Sequence, residues 1–293
     1  MIELVQVTKQ YGTLLAVNAL DLQVRDGEII GIIGHNGAGK STTLKMIAGL
    51  IAPTAGTIRV LDYDMAKEST AAKRTIGYLP EENPLYENMT AREYLTFFAE
   101  LYGLPKTITR ARIDELLGSL NLPEKDKMTG EFSKGMKRKV AIARALLHDP
   151  RVLILDEPNS GLDPLTSFFI INYLKTLKQQ GKTIVLSAHN LFHVEYICDR
   201  VAIIKNGRMI VCDTMDAIRG ELGNREYQVV FKTDEHLEYE RKDGNYIFRT
   251  SDVGAMAEIL SNISENDWAL VDLSVQESAL EEIYVRLMTT EQR

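Results

Sequence analysis

At 293 residues the chain is long enough for one large domain with an appendage, or for two domains. Its 45% hydrophobic and 26% charged residues are ordinary globular usage, and a net charge of −7 denies it the overall positive field of a general nucleic-acid binder. The two cysteines, Cys198 and Cys212, form neither a CxxC pair nor a disulfide framework, and buried reduced thiols fit a cytoplasmic protein. The N-terminal "MIELVQVTKQYG" carries Glu3 and has no long apolar run, so it does not read as a signal peptide. No stretch approaches the roughly 18–20 apolar residues that cross a bilayer, so work at a membrane would need another chain to span it.

In chain order, "IELVQV" and "LDLQV" alternate as strands do, and "EIIGII" (28–33) is continuously apolar, as in a strand buried on both faces. It runs into "GHNGAGKSTTLKMIAGL", a glycine-rich turn followed by a helix. "GTIRVL" and "TIGYLP" are shorter strands. From Asn83 to about Asp149 the pattern turns helical, in "TAREYLTFFAELYG", "RARIDELLGSL" and "GMKRKVAIARALLH". "RVLILDEP" is a second apolar strand that ends in two carboxylates, and "PLTSFFIINYLKTLKQQG" a helix with Pro near its start and Gly past its end. "KTIVLSAH" is a third buried strand, and "VAIIKNGRMIV" a hairpin turning on Asn206-Gly207. Alternating strands and helices predict an α/β fold with a mostly parallel sheet core, an antiparallel part and an all-helical insert at about 83–149. Beyond about residue 216, "EYQVVFKT", "HLEYER" and "NYIFRT" alternate with period 2. A helix, the strand "WALVDLSV" and the helix "ESALEEIYVRLM" follow, so 217–293 reads as a small C-terminal α+β domain after a domain over 1–216.

Gly34 to Ser41, "GHNGAGKS", match G-x-x-x-x-G-K-[ST], with a buried strand before and a helix after. Gly34, Gly37 and Gly39 let the backbone curl its N–H groups toward phosphate oxygens, and the helix N-terminus adds a positive dipole end. Lys40 is placed to reach the β- and γ-phosphates, and Ser41 to hold Mg²⁺. The whole run Gly34, His35, Asn36, Gly37, Ala38, Gly39, Lys40, Ser41 and Thr42 is therefore expected around ATP. Asp156 ends a buried strand, where a lone charge is costly unless paired or metal-bound. Glu157, one residue on, points differently and is placed to polarise an attacking water.

In this order the motifs resemble an ATP-binding cassette (ABC) ATPase subunit, over about residues 1–216. The resemblance implies a P-loop ATPase with ATP and Mg²⁺ as cofactors. It implies that Tyr11 stacks on adenine, that Ser160, Gly161, Leu162 and Asp163 form the loop that touches a partner subunit, and that His189 is the switch histidine at the γ-phosphate. His189 and His193 also lie four apart, as metal ligands on a helix can, but no third ligand accompanies them. The family's signature loop, which covers ATP held by the opposite subunit, falls at "FSKGM". Ser133 and Gly135 would then donate to a γ-phosphate from the start of a helix at about 135. Against the commoner Leu-Ser-Gly-Gly-Gln, Phe132, Lys134 and Met136 are departures. Lys134 exchanges a flexible glycine for a cation, and Met136 lacks the amide. Lys137, Arg138 and Lys139 are expected on the solvated side. Glu81 stands where the family usually carries a Mg²⁺-binding and membrane-subunit-sensing Gln, so it is a third expected metal ligand beside Ser41 and Asp156.

Glu81, "FSKGM" and the "ALEEIYVRL" tail look most like ABC-2 type exporters of drugs, antibiotic peptides or sodium. The resemblance implies a homodimer, or a heterodimer with a similar chain, at the inner face of the cell membrane. A separate permease would dock near residues 81–100, and no nucleic acid is expected. The alternative is a soluble ABC ATPase acting on nucleic acid or ribosomes. Translation-factor relatives usually carry two cassettes, and chromosome-maintenance relatives a long coiled coil; this chain has one P-loop and a short insert.

Overall fold

The two alternating N-terminal segments pair antiparallel in the computed structural model, which describes residues 1–289, as β1 (Ile2–Tyr11) and β2 (Leu14–Val24). β3 (Ile29–Ile33), buried along its whole length, leads into α1 (Lys40–Ile47). β4 (Ala55–Val60) and β5 (Tyr63–Asp64) complete an antiparallel sheet of order β2-β1-β4-β5. After α2 (Ser69–Lys73) and β6 (Ile76–Leu79) comes the helical insert, α3 (Ala91–Leu101), α4 (Lys106–Ser119) and α5 (Lys134–Leu146). β7 (Val152–Leu155), α6 (Pro164–Gln179), β8 (Thr183–Ser187), α7 (Leu191–Ile197), β9 (Arg200–Lys205) and β10 (Arg208–Thr214) follow.

The second sheet runs β10-β9-β3-β8-β7-β6, parallel from β9 to β6, with β10 antiparallel as the second arm of a hairpin. Asn206 and Gly207 both have positive φ, 51° and 76°, which the two-residue turn between β9 and β10 requires. Leu4, Val17, Ile30, Ile32, Leu44, Ile47, Ile58, Val185 and Ile204 form one buried cluster spanning both sheets and α1. Each such side chain contributes about 1.5–3 kcal/mol on burial, so the strands are a stiff platform. Their parallel register has a functional consequence. Ile32 pairs with Ser187 and Leu155 with Leu186, so the residues just past β3, β7 and β8 emerge together at one sheet edge.

Two of the insert's α-helices, α3 and α5, have side-chain caps. Thr90 and Glu93 form a reciprocal capping box at α3, and Ser133 caps α5 by accepting from the Met136 N–H. Two boundaries differ from the expectation. α5 begins at Lys134 because Ser133 caps it, and α4 begins at Lys106, four residues before "RARIDELLGSL".

Met1–Thr214 is one compact unit, and a second begins at Met215 with α8 (Met215–Leu222). It contains β11 (Arg225–Lys232), β12 (Glu240–Lys242), β13 (Asn245–Thr250), α9 (Val253–Glu265), β14 (Ala269–Glu277) and α10 (Leu280–Thr289). Its antiparallel sheet, β12-β13-β11-β14, packs Val229, Phe231 and Tyr246 against Ile259 and Ile263 of α9. The strand expected at "HLEYER" is reduced to Glu240–Lys242, because Leu237 N–H turns back onto the Tyr246 hydroxyl instead of joining a ladder. Among the described residues, no helix is long and apolar enough to cross a membrane.

Candidate functional site

The glycine-rich turn is shaped by what stands behind it. A Cβ at Gly34 would collide with the Ile204 carbonyl, and one at Gly39 would sit 2.5 Å from the Ala16 carbonyl oxygen. Gly39 also has φ 106°, which side chains avoid. The turn therefore lies directly on β2 and β9, and α1 starts from it with its N–H groups open. Lys40 is 7% exposed, and its ammonium donates to the Gly34 and His35 carbonyls at 2.7 and 3.2 Å. Burial lowers its pKa, and the Glu157, Asp156 and Glu81 carboxylates oppose that.

Asp156 sits 2% exposed just past β7. Its Oδ1 accepts from the Ser41 hydroxyl at 3.2 Å and from the Ser187 hydroxyl at 2.6 Å. Ser187 also accepts from the Glu157 N–H at 3.0 Å, so one buried hydroxyl fixes both carboxylate residues. Glu157 takes a left-handed φ of 49° and is 4% exposed. Burial pushes its pKa up to about 7, with Lys40 opposing the shift and Asp156 and Glu81 adding to it. His189 Nε2 lies 3.1 Å from Glu157 Oε1 but is not aligned to hydrogen-bond it, and that oxygen has no hydrogen-bond partner. Burial, then Lys40, holds the imidazole pKa below its ordinary value. A neutral imidazole and a carboxyl able to exchange a proton near neutrality are suited to handling a water.

These groups open into a cavity of about 650 Å³ lined by Tyr11, Asn36, Gly37, Gly39, Lys40, Ser41, Thr42, Glu81, Glu157 and His189. Leu14, Leu15 and the half-exposed Tyr11 add apolar surface to its lining. Of the other expected residues, Ala38 is fully buried behind the turn, and His35 faces outward with Nδ1 2.7 Å from the Asn36 carbonyl. His193 contacts Asn159 rather than His189, so the two histidines do not converge. Among the described residues no group of three His, Cys, Asp or Glu could hold a metal.

The segment Ser133–Met136 does not line this cavity, and neither does Ser160–Asp163. Lys134, Lys137, Arg138 and Ser160 instead line a separate cavity of about 450 Å³ with Glu81, Glu82, Asn83 and Pro84. Gly135 is set against Thr166 of α6, where a Cβ would approach Thr166 Cγ2 to 2.9 Å. The Lys134 ammonium lies over Gly161. The expectation that Lys137, Arg138 and Lys139 form a solvated face fails at Arg138, while Lys137 and Lys139 stay half-exposed. Lys137 pairs with Glu87 at 3.1 Å, and Lys139 stands 4.5 Å from the Phe169 ring centre. Arg138 is 7% exposed and donates to the Pro80 and Glu81 carbonyls. Sequence reasoning also missed Ser187, whose one signal was a hydroxyl inside the otherwise apolar "TIVLS".

A sequence model of the family described as "ABC transporter" matches residues 17–160. Linearmycin resistance ATP-binding protein LnrL of Bacillus subtilis (strain 168) is 34% identical over 98% of both chains. Bacitracin transport ATP-binding protein BcrA of Bacillus licheniformis is also 34% identical, over 98% of this chain and 97% of its own. Among solved structures, an ATP-binding subunit of an ABC transporter superposes with a TM-score of 0.69 at 36% identity, covering 75% of this chain and 92% of that one. A dimeric ATP-binding cassette in a post-hydrolysis state, bound to ADP and Pi, superposes with a TM-score of 0.68 at 28% identity, over 73% of this chain and 99% of that one. Identity of 34% over nearly the full length of such proteins, with a glycine-rich turn and paired carboxylates on one sheet edge, establishes the chain as a member of the ABC transporter family, an ATP-binding and ATP-hydrolysing subunit.

Proposed function

We propose that the chain is the ATPase of an exporter, closing on a second ATPase chain around two ATP molecules and driving a separate membrane-spanning permease. The observation that carries this reading is the separation of the two halves of the site. Lys40, Glu157 and His189 share one cavity that the chain's own Ser133–Met136 segment does not line. Completion by another chain's segment accounts for that separation, and the dimeric, ADP-bound relative supports it. The exporter reading draws on LnrL and BcrA, named for linearmycin resistance and bacitracin transport. The chain would then work at the inner face of the cell membrane, with the exposed Tyr86 and Phe97 near the proposed permease contact at 81–100.

Within each site, Tyr11 stacks on adenine, the turn from Gly34 to Thr42 wraps the phosphates, and Lys40 leaves its two carbonyls for the β- and γ-oxygens. The Ser41 hydroxyl and Asp156 carboxylate, 3.2 Å apart, are an oxygen-only donor pair suited to Mg²⁺, and Glu81 faces the same cavity. Ser41 and Asp156 would hold Mg²⁺ there, and the ion would supply positive charge against the phosphates. Glu157 takes a proton from the attacking water, and His189 orders the γ-phosphate beside it. From the partner, Ser133 and Gly135 approach the same phosphate, while the 160–163 loop contacts the other chain. The test is the oligomeric state of the full chain carrying Glu157→Gln, which should bind ATP without consuming it. Light scattering should show a dimer with MgATP and a monomer without it. A mass unchanged by MgATP at saturating nucleotide overturns the reading.

A further inference from the structure

Arg138 is the one member of the basic run whose charge is taken inside the protein. It projects from the second turn of α5 and ends on the chain just past β6, where its Nη1 donates to the Pro80 carbonyl at 3.0 Å and its Nη2 to the Glu81 carbonyl at 2.8 Å. A buried guanidinium must be paired to be tolerated, and two neutral carbonyls supply hydrogen bonds but no countercharge. The countercharge comes from carboxylates. Burial pulls the Arg138 pKa down, and Glu81, Asp156 and Glu157, in that order, oppose it. Glu81 lines both the nucleotide cavity and the cavity beside Arg138, so it stands between Lys40 and Arg138. Once Lys40 turns to phosphate, Arg138 remains a buried cation of this chain beside the Glu81 charge.

We propose that Arg138 is a positioning residue that fastens the Glu81 segment to the signature-position helix and offsets the Glu81 carboxylate, allowing an acid to stand beside ATP. The same tie links the two cavities. α5 carries the segment that approaches the partner's nucleotide, and Glu81 faces the chain's own. The proposal rests on Glu81 facing the nucleotide and its metal, as proposed above.

The test is a double-mutant cycle on the full chain, read as equilibrium binding of a fluorescent ATP analogue with and without Mg²⁺, with thermal midpoints recorded for each variant. Arg138→Met leaves the Glu81 carboxylate uncompensated, and should weaken Mg²⁺-nucleotide binding about tenfold, as expected for losing charged hydrogen bonds. Adding Glu81→Gln removes the uncompensated charge and should restore affinity to within about threefold of Glu81→Gln alone, well outside ordinary additivity. Arg138→Gln, which keeps amide donors for the carbonyls, carries the same cycle if the methionine variant does not fold. Wild-type affinity in Arg138→Met, or a double variant as weak as the two single losses multiplied, overturns the proposal; the second result leaves Arg138 a structural tie alone. Glu81→Gln by itself reports on the metal reading. An unchanged Mg²⁺ requirement there refutes Glu81 as a ligand, while the cycle still reads on Arg138.

Discussion

The P-loop half and the signature half of this chain are built by opposite means. The first is dense and internal: Lys40, Asp156, Glu157 and Ser187 are all under a tenth exposed and are held by one another and by backbone carbonyls. The second is carried on the surface. Ser133 and Lys134 are exposed, the Ser133 hydroxyl is occupied as a helix cap, and the nearby helices are tied by ion pairs such as Arg92–Asp114 and Lys125–Asp114. A group that must act on developing charge gains from being fixed beforehand in a dry place. A group that must meet another molecule has to stay reachable, and so is fixed only at its base. The difference explains why one half can be read as a site in a single chain and the other cannot.

The sharpest way to break this comparison is at Glu157. If the prebuilt half performs the chemistry, Glu157→Gln should keep ATP affinity and lower turnover by at least roughly a hundredfold, the lower end of the general-base range. Phosphate release measures the turnover, and hydrolysis near the wild-type rate would remove Glu157 from the role of base. A smaller effect tests the reachable half. Gly135 is a poor target because any side chain there meets Thr166, whereas Lys134 is exposed. In the proposed dimer, Lys134→Glu would place a carboxylate toward the partner's phosphates and should cost at least about tenfold in ATPase activity by like-charge repulsion. Mixing it with Lys40→Ala should recover activity, because the Lys134→Glu chain supplies an intact P-loop and the Lys40→Ala chain an intact signature segment. Activity that does not rise on mixing would refute the trans arrangement.

The prebuilt half was also the more legible one. A strand, a glycine-rich turn and a helix are contiguous in sequence, so Gly34 to Thr42 could be placed from local pattern alone. Asp156 and Glu157 were visible as carboxylates closing an apolar strand. Ser187 was not, because its importance comes from register: β8 pairs with β7 so that the hydroxyl ends beside Asp156, and no local pattern encodes that pairing. Arg138 was misread for a related reason. Within "KRK" it resembles its neighbours, and only the position of a loop 57 residues away shows where its long side chain goes. The "HLEYER" strand failed because a period of 2 was counted without knowing that Tyr246 would capture the preceding turn.

Ser187 permits a third test of intermediate size. Ser187→Ala removes one donor to Asp156 and the acceptor for the Glu157 N–H, which then lies buried without its partner. A loss of about 1–3 kcal/mol in unfolding free energy is expected for an unsatisfied buried group. Denaturant unfolding measures it, and a stability within error of wild type would show that the carboxylates are held without the hydroxyl.

The smallest effect belongs to the surface ties of the signature half. Lys125 and then Arg92 hold the Asp114 carboxyl down at about 2, below the ordinary 3.8. A carboxyl whose folded value is depressed adds stability that is complete above its unfolded value. That contribution fades as pH falls through 3.8 and is gone below about 2. Exposure to water keeps it small, as for surface ion pairs generally. Asp114→Asn should therefore leave a protein slightly less stable than wild type at neutral pH, with the difference shrinking between pH 4 and pH 2 and added salt reducing it as well. Thermal midpoints across that window read the change. Hydrogen exchange should place it in α3 and α4, since Arg92 lies on the first and Asp114 on the second, and leave β3, β7 and β8 unaffected. A difference that is the same at pH 7 and pH 2 would mean that Asp114 contributes through packing. Slower or faster exchange in β7 would mean that the two halves are not held separately.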